Sequence, residues 1–84
     1  MAKVTVYTTN YCPFCSRAKE LLKRRGIPFE EILLREDDDK AWDDLQKRSS
    51  MQTVPQIFAD DKILGGFTEL AALDQKDELA FLKP

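Results

Sequence analysis

A pair of cysteines separated by two residues lies where a strand-like stretch of the chain gives way to a helix-like one. Residues 4–7 are β-branched or aromatic and predict a strand, and residues 16–22 have the composition of a helix. Cys12 therefore falls at the start of the helix and Cys15 about one turn into it. Pro13 suits the first helical position, because an N–H there would have no partner within the helix.

The position of the two thiols favours redox chemistry over a structural role. Only the thiolate attacks a disulfide, and the unpaired N–H groups and dipole of a helix N-terminus favour an anion. Cys12 is therefore the predicted nucleophile, with Lys19 as a nearby cation, and the deeper Cys15 is the predicted resolving thiol. A zinc half-site needs two more ligands, but the chain has no other cysteine and no histidine. A structural disulfide would close too short a loop to constrain the chain much.

Length and composition limit what the chain can be. Its 84 residues, 43% of them hydrophobic, predict a single domain over residues 1–84 with one modest core. A net charge of −2 argues against a nucleic-acid partner. No stretch reads as a signal peptide or a membrane span, so we expect a cytoplasmic protein with no membrane partner. A reducing compartment also makes a closely spaced cysteine pair catalytic more often than structural.

Hydrophobic periodicity and turn residues predict the element order βαβαββα. Gly26 and Pro28 end the first helix, and residues 60–61 form a hairpin turn. We expect a four-stranded mixed sheet with helices on both faces, a parallel first pair of strands and an antiparallel last pair. The predicted strands cover residues 3–8, 29–34, 54–59 and 62–64, and the helices cover 13–25, 37–48 and a segment starting near 67.

Several apolar residues outside the main periodic pattern are assigned to packing. Trp42 and Met51 could contact a ligand, but core or edge packing is the first assignment for both. Leu79, Phe81 and Leu82 are predicted to complete the core after the last helix.

Three short motifs in this order resemble those of a known family. They are CPFC at residues 12–15, TVP at 53–55 and GG at 65–66. From Lys3 to Leu82 the chain resembles the dithiol glutaredoxins of the bacterial glutaredoxin 3 type, members of the thioredoxin-like superfamily. The resemblance implies a thioredoxin-like fold, glutathione as co-substrate and no metal. It also implies Cys12 as nucleophile and Cys15 as resolving thiol.

The resemblance also assigns glutathione contacts. It implies that Pro55 is a cis-proline and that the backbone of Val54 pairs with the cysteine of glutathione. The corner at residues 66–68 would receive the γ-glutamyl end. The implied contact residues are Phe14, Thr53, Val54, Pro55, Gly66, Phe67 and Thr68.

Four residues depart from the family pattern. Thr9 stands in place of a lysine, Trp42 in place of glutamine or arginine, and Thr68 in place of an acidic residue, although Glu69 follows it. In the family these side chains hold the charged ends of glutathione. Phe14 replaces a common tyrosine and loses one hydroxyl.

The resemblance implies an enzyme that reduces protein disulfides and glutathione mixed disulfides. Its partners would be disulfide-containing or glutathionylated proteins, with ribonucleotide reductase as one candidate, and we expect a monomer. The alternative is a thioredoxin-like electron donor recharged by thioredoxin reductase. Such a redoxin typically carries Trp-Ser-Gly-Phe where this chain has residues 64–67, LGGF. A third hypothesis is a dimer that shares an iron–sulfur cluster through Cys12 and glutathione, which Pro13 disfavours.

Overall fold

A mixed β-sheet forms the central layer of the protein. The computed structural model describes residues 3–10, 12–51, 53–79 and 82. Within them the order of elements is βαβαββα, as predicted from the sequence. The elements are β1 (Val4–Thr8), α1 (Pro13–Arg24), β2 (Phe29–Leu33), α2 (Asp39–Ser49), β3 (Gln56–Ala59), β4 (Lys62–Gly65) and α3 (Phe67–Gln75).

The strand order brings two loops that are distant in sequence to the same edge of the sheet. The order is β2-β1-β3-β4, with β1 parallel to β2 and antiparallel to β3. Tyr7, near the end of β1, pairs with Gln56, at the start of β3. The loop that follows β1 therefore meets the loop that precedes β3. These loops contain the CPFC and TVP motifs.

The helices cover both faces of the sheet, as expected. Val4 and Val6 of β1 face a core shared with α1 and α3, which includes Leu22 and Leu70. Tyr7 points to the opposite face, and the core there is Tyr7, Leu34, Leu45 and Phe58, with Ala41 and Trp42 of α2 packed against it. Alternate residues of one strand thus supply both cores, because successive side chains point to opposite faces.

The ends of some elements differ from those predicted. Strand β3 begins at Gln56 rather than residue 54, because Pro55 has no N–H to donate to a strand ladder. Helix α2 begins at Asp39, and the carboxylate of Asp38 caps it by accepting the Ala41 N–H at 3.1 Å.

The predicted contribution of the chain end to the core is partly borne out. Leu79 and Leu82 are buried as predicted, while Phe81 lies outside the described residues. No helix in the described part of the chain is long and apolar enough to cross a membrane.

Candidate functional site

Cys12 occupies the N-cap position of α1. Its backbone is extended, with φ −141° and ψ 98°, and Pro13 begins the helix. The Cys12 Sγ accepts the N–H of Cys15 at 3.1 Å, which satisfies one of the free donors of the first turn. The same thiol lies 3.7 Å from the carbonyl oxygen of Val54, to which it donates. The half-buried thiol thus lies between the helix start and the loop before β3.

Cys15 is one turn further along α1 and only 2% exposed. Burial raises the pKa of the Cys15 thiol to about 12, and its hydrogen bond to Cys12 and the charge of Cys12 act in the same direction. A backbone hydrogen bond with Thr9 and the charge of Lys19 oppose this rise in pKa. Cys15 is therefore a protonated thiol at neutral pH, while Cys12 is the accessible member of the pair.

Lys19, proposed from the sequence as a cation near the thiols, has a carboxylate partner. Its Nζ donates to Glu31 Oε2 at 2.9 Å, and the hydroxyl of Thr8 donates to the same oxygen at 2.8 Å. The Lys19 hydrogen bond is the main cause that lowers the pKa of Glu31, and the Thr8 hydrogen bond adds to it. Lys19 therefore ties α1 to the sheet and affects the thiols only through space.

A groove with a volume of about 210 Å³ runs between the start of α1, the loop before β3 and the start of α3. The Val54–Pro55 peptide bond in its wall is cis, as the resemblance implies. All of the residues that the resemblance assigns to glutathione line this groove, and Met51 and Glu69 line it as well. The lining residues are Phe14, Met51, Thr53, Val54, Pro55, Gly66, Phe67, Thr68 and Glu69.

Two glycines allow close packing where α3 begins, and one of them lets this corner approach the loop before β3. A Cβ on Gly66 would lie 3.3 Å from the carbonyl oxygen of Pro55, which is tighter than ordinary van der Waals contact. Gly65 has φ +120°, and a Cβ there would come within 2.7 Å of the side chain of Glu69. The first turn of α3 therefore closes the groove on this side.

The groove has an aromatic rim. The rings of Phe14 and Phe67 are 6.1 Å apart between centroids, and the guanidinium of Arg17 lies 5.4 Å from the Phe14 ring. Phe14 is 53% exposed, so this rim offers an apolar surface beside the Cys12 thiol.

Sequence reasoning missed two of the lining residues. The sequence assigns Met51 first to core or edge packing, and only the tertiary structure shows that it lines the groove. Glu69 carried a signal, since it is an acidic residue directly after Thr68. Its side chain packs along Gly65, which brings its carboxylate to the corner of the groove.

The departures from the family pattern take different positions in the structure. Thr68 lines the groove, while Trp42 does not. Trp42 packs on the α2 face of the sheet and donates its indole N–H to the carbonyl of Arg35 at 3.0 Å, which bears out its assignment to packing.

Two basic residues of α2 also have partners elsewhere. Lys47 pairs with Asp43 at 3.1 Å. Arg48 donates to the hydroxyl of Tyr7 at 2.9 Å and lies 4.7 Å from the centroid of the Phe58 ring. Neither side chain is therefore directed into the groove as a substitute for the residue that Trp42 replaces.

An accessible thiol at a helix start and a second, buried thiol one turn behind it can pass from dithiol to disulfide and back. On a sheet of this topology, that arrangement defines a class: thiol–disulfide oxidoreductases of the thioredoxin-like fold.

Comparison with known proteins agrees with this class. The family model described as Glutaredoxin matches residues 4–64. Glutaredoxin 3 of Escherichia coli is 43% identical over 79 residues, which cover 94% of each chain. A glutaredoxin of Pseudomonas aeruginosa is 38% identical over 79 residues, covering 94% of this chain and 93% of its own. The crystal structure of a buckwheat glutaredoxin–glutathione complex superposes with a TM-score of 0.86 at 25% identity, covering 96% of this chain and 76% of that one. The chain belongs to the glutaredoxin family and has its thioredoxin-like fold.

Proposed function

We propose that this protein uses glutathione to reduce protein disulfides and glutathione mixed disulfides through the Cys12–Cys15 dithiol. The observation that carries the proposal is the position of Cys12, at the start of α1 and beside the groove, with its thiol 3.7 Å from the Val54 carbonyl oxygen. A substrate disulfide lying along the Val54 backbone would meet this thiol directly.

Turnover of a glutathione mixed disulfide needs Cys12 alone. The Cys12 thiolate attacks the glutathione sulfur, forms a Cys12–glutathione disulfide and releases the substrate as a thiolate, which takes up a proton. The thiolate of a second glutathione then attacks the bound glutathione sulfur. This step forms glutathione disulfide and returns Cys12 as a thiolate, so the two electrons come from glutathione.

Reduction of a protein disulfide uses both thiols. Cys12 attacks one sulfur of the protein disulfide and forms a mixed disulfide with the protein. Cys15 then attacks the Cys12 sulfur, which forms a Cys12–Cys15 disulfide and releases the protein as a dithiol, and two glutathione molecules afterwards reduce this disulfide and leave as glutathione disulfide. Cys15 must lose its proton for this second attack. Its hydrogen bond to Cys12 and the charge of Cys12 both raise its pKa, and both disappear once Cys12 is in a disulfide. Formation of the mixed disulfide therefore lowers the pKa of Cys15 when the resolving thiolate is needed.

The groove offers complementary groups for glutathione. The backbone of Val54 can pair with the cysteine of the tripeptide as an added strand. The corner at residues 66–68 begins α3, where N–H groups and the helix dipole favour the γ-glutamyl carboxylate. The likeness to a glutaredoxin solved with glutathione supports this assignment.

The proposal also covers the cellular location, oligomeric state and substrates of the protein. Recharging by glutathione requires a reducing compartment, so we propose a cytoplasmic location. The protein would act as a monomer of one domain, and disulfide-containing or glutathionylated proteins, ribonucleotide reductase among them, would be its substrates.

A coupled assay with glutathione, glutathione reductase and a small glutathione mixed disulfide tests the function. Wild-type protein should turn over, Cys12→Ser should be inactive on every disulfide, and Cys15→Ser should lose only the reduction of protein disulfides. If thioredoxin reductase recharges the protein and glutathione does not, the protein is instead a thioredoxin-like electron donor. Equal loss from both substitutions on the small substrate would contradict the roles given to the two thiols.

A further inference from the structure

Gln56, the first residue of β3, is fully buried directly after the cis-proline. Its side-chain amide does not point to the groove but back along the chain. The Nε2 donates to the carbonyl oxygen of Thr53 at 2.8 Å and to that of Met51 at 3.2 Å. Both carbonyls belong to the loop that forms one wall of the groove. One side chain therefore uses both of its N–H donors to hold this loop.

The acceptor end of the same amide has a different environment. Gln56 Oε1 is buried and has no hydrogen-bond partner among the described residues. The opposite orientation of the amide would set this oxygen against two carbonyl oxygens, so the two donor bonds fix which way it points. A buried acceptor without a partner is unfavourable, and an apolar side chain of this size would avoid it. The need for two donors at this position accounts for a glutamine there.

The loop is also held at its other end. The N–H of Met51 donates to Ser49 Oγ at 3.0 Å, and that hydroxyl donates to the carbonyl of Leu45 at 3.0 Å. Met51 is thus bonded through its N–H to the end of α2 and through its carbonyl to the start of β3. Val54 is three residues after Met51, and its carbonyl accepts from the Cys12 thiol.

We infer that Gln56 is a positioning residue for substrate binding. It acts through the carbonyls of Met51 and Thr53 to hold the Val54 backbone at the groove and beside Cys12. It touches neither the thiols nor the groove, so its effect falls on the binding of glutathione and not on the exchange of sulfur. This inference rests on the proposed function, because it assigns to Val54 the binding of glutathione.

The first test replaces Gln56 by Met, which has a similar length and shape but no donor. In the coupled assay we expect the Michaelis constant for glutathione to rise about tenfold with kcat within about twofold of wild type, since uniform binding is lost. The matched control is Ile27→Ala, which removes buried side-chain volume from the opposite core and away from the groove. It should lower stability without changing the Michaelis constant.

A second variant makes the Michaelis constant depend on pH, which would not happen if Gln56 only filled space in the core. In Gln56→Glu the ionised carboxylate cannot donate, whereas the protonated acid donates one O–H bond. The ratio of its Michaelis constant to that of wild type should therefore decrease as the pH falls. The ratio for Gln56→Met should stay constant with pH.

Hydrogen exchange tests the positioning without glutathione. The amide of Met51, which donates to Ser49 Oγ at 3.0 Å, should exchange faster in Gln56→Met than in wild type, and at the wild-type rate in Ile27→Ala. Unchanged exchange in Gln56→Met, or a fall in kcat with an unchanged Michaelis constant, would overturn the inference. If wild-type protein shows no glutathione-dependent turnover, the proposed function fails, and the exchange rates alone then decide whether Gln56 holds the loop.

Discussion

At the scale of single residues, two identical side chains have different chemistry because of where they lie on one helix. Cys12 is at the helix start and half-buried, whereas Cys15, one turn later, is 2% exposed. Burial penalises the thiolate and raises the pKa of Cys15 to about 12. The spacing of the two cysteines along the helix indicates that Cys15 is the deeper thiol, and its burial makes it harder to ionise.

Alkylation of Cys15 should report its raised pKa. In a Cys12→Ser variant burial remains, so the Cys15 thiol should stay protonated and react very slowly with iodoacetamide at neutral pH. Its rate should keep rising with pH above the ordinary cysteine pKa of about 8.5, because only the thiolate reacts and burial disfavours the thiolate. Mass spectrometry of quenched samples measures the rate, and the same variant unfolded in urea is the control. A plateau near the ordinary cysteine pKa of about 8.5 would contradict this prediction.

Restoring family residues at two departures should strengthen glutathione binding. Thr68 lines the groove, and Thr9 lies outside its lining, beside Cys15. Thr9→Lys and Thr68→Asp, made together, add two charged side chains, each contributing roughly 0–1 kcal/mol. We expect the Michaelis constant for glutathione to fall by about fivefold with little change in kcat, because the contacts are made equally in ground and transition states. The coupled assay measures both constants.

The control for that experiment is Glu69→Gln, which removes a carboxylate that already lines the groove. If this change raises the Michaelis constant while the double variant leaves it unchanged, Glu69 replaces the acidic residue at position 68. The threonine at position 68 then has no effect on glutathione binding.

At the scale of elements, charged side chains connect α1 to its neighbours. Lys19 joins α1 to Glu31 of β2, which also accepts from Thr8 of β1. Directly after the last turn of α1, Arg25 makes a bidentate ion pair with Asp74 of α3. Its Nε donates to Oδ1 at 2.6 Å and its Nη2 donates to Oδ2 at 3.1 Å. The two helices that border the groove are therefore fixed to each other and to the sheet.

Removing the charge of Glu31 should destabilise the fold in a pH-dependent way. The pKa of Glu31 is lowered in the folded protein, so its carboxylate stabilises the fold above its unfolded pKa. This contribution is lost as the pH falls through the lowered pKa. Glu31→Gln should lower the free energy of unfolding by about 1 kcal/mol or less at neutral pH, because the carboxylate is partly exposed. The loss should disappear in acid.

Urea unfolding at neutral and acidic pH measures this difference. Glu30→Gln is the matched control, because Glu30 lies on the same strand as Glu31 and pairs with Lys3. The side chains of Lys3 and Glu30 are 71% and 55% exposed, so this pair should contribute almost nothing to stability. Equal losses from the two substitutions would show that burial at Glu31 has no part in its contribution.

At the scale of the whole molecule, the sheet separates two cores of unequal size. The larger one, between the sheet and α1 with α3, contains Leu22, which is fully buried. Strand β2 lies at an edge of the sheet and leaves Ile32 and Leu33 exposed. Stability should therefore depend on the larger core much more than on the apolar residues at this edge.

Two leucine truncations compare these regions. Leu22→Ala should lower the free energy of unfolding by about 2–5 kcal/mol, from lost burial and the cavity that remains. Leu33→Ala, at a side chain that is 53% exposed, should change it by less than about 0.5 kcal/mol. Thermal or urea unfolding followed by circular dichroism measures both. A loss at Leu33 as large as at Leu22 would mean that the edge of the sheet is covered in solution.

The sequence by itself determined the element order and the strand–turn–helix position of Cys12 and Cys15. Local periodicity and the chemistry of proline and glycine specify such features through neighbours a few residues apart. With the resemblance to glutaredoxins, the sequence also predicted most of the residues that line the groove.

Only the tertiary structure decided which side chains from distant segments meet. It paired Lys19 with Glu31, added Met51 and Glu69 to the groove, and turned Gln56 toward the carbonyls of the loop before it. The physical reason is that hydrogen bonds and burial depend on the packing of segments far apart in the chain. The sequence pattern of a single segment carries no record of its distant partner.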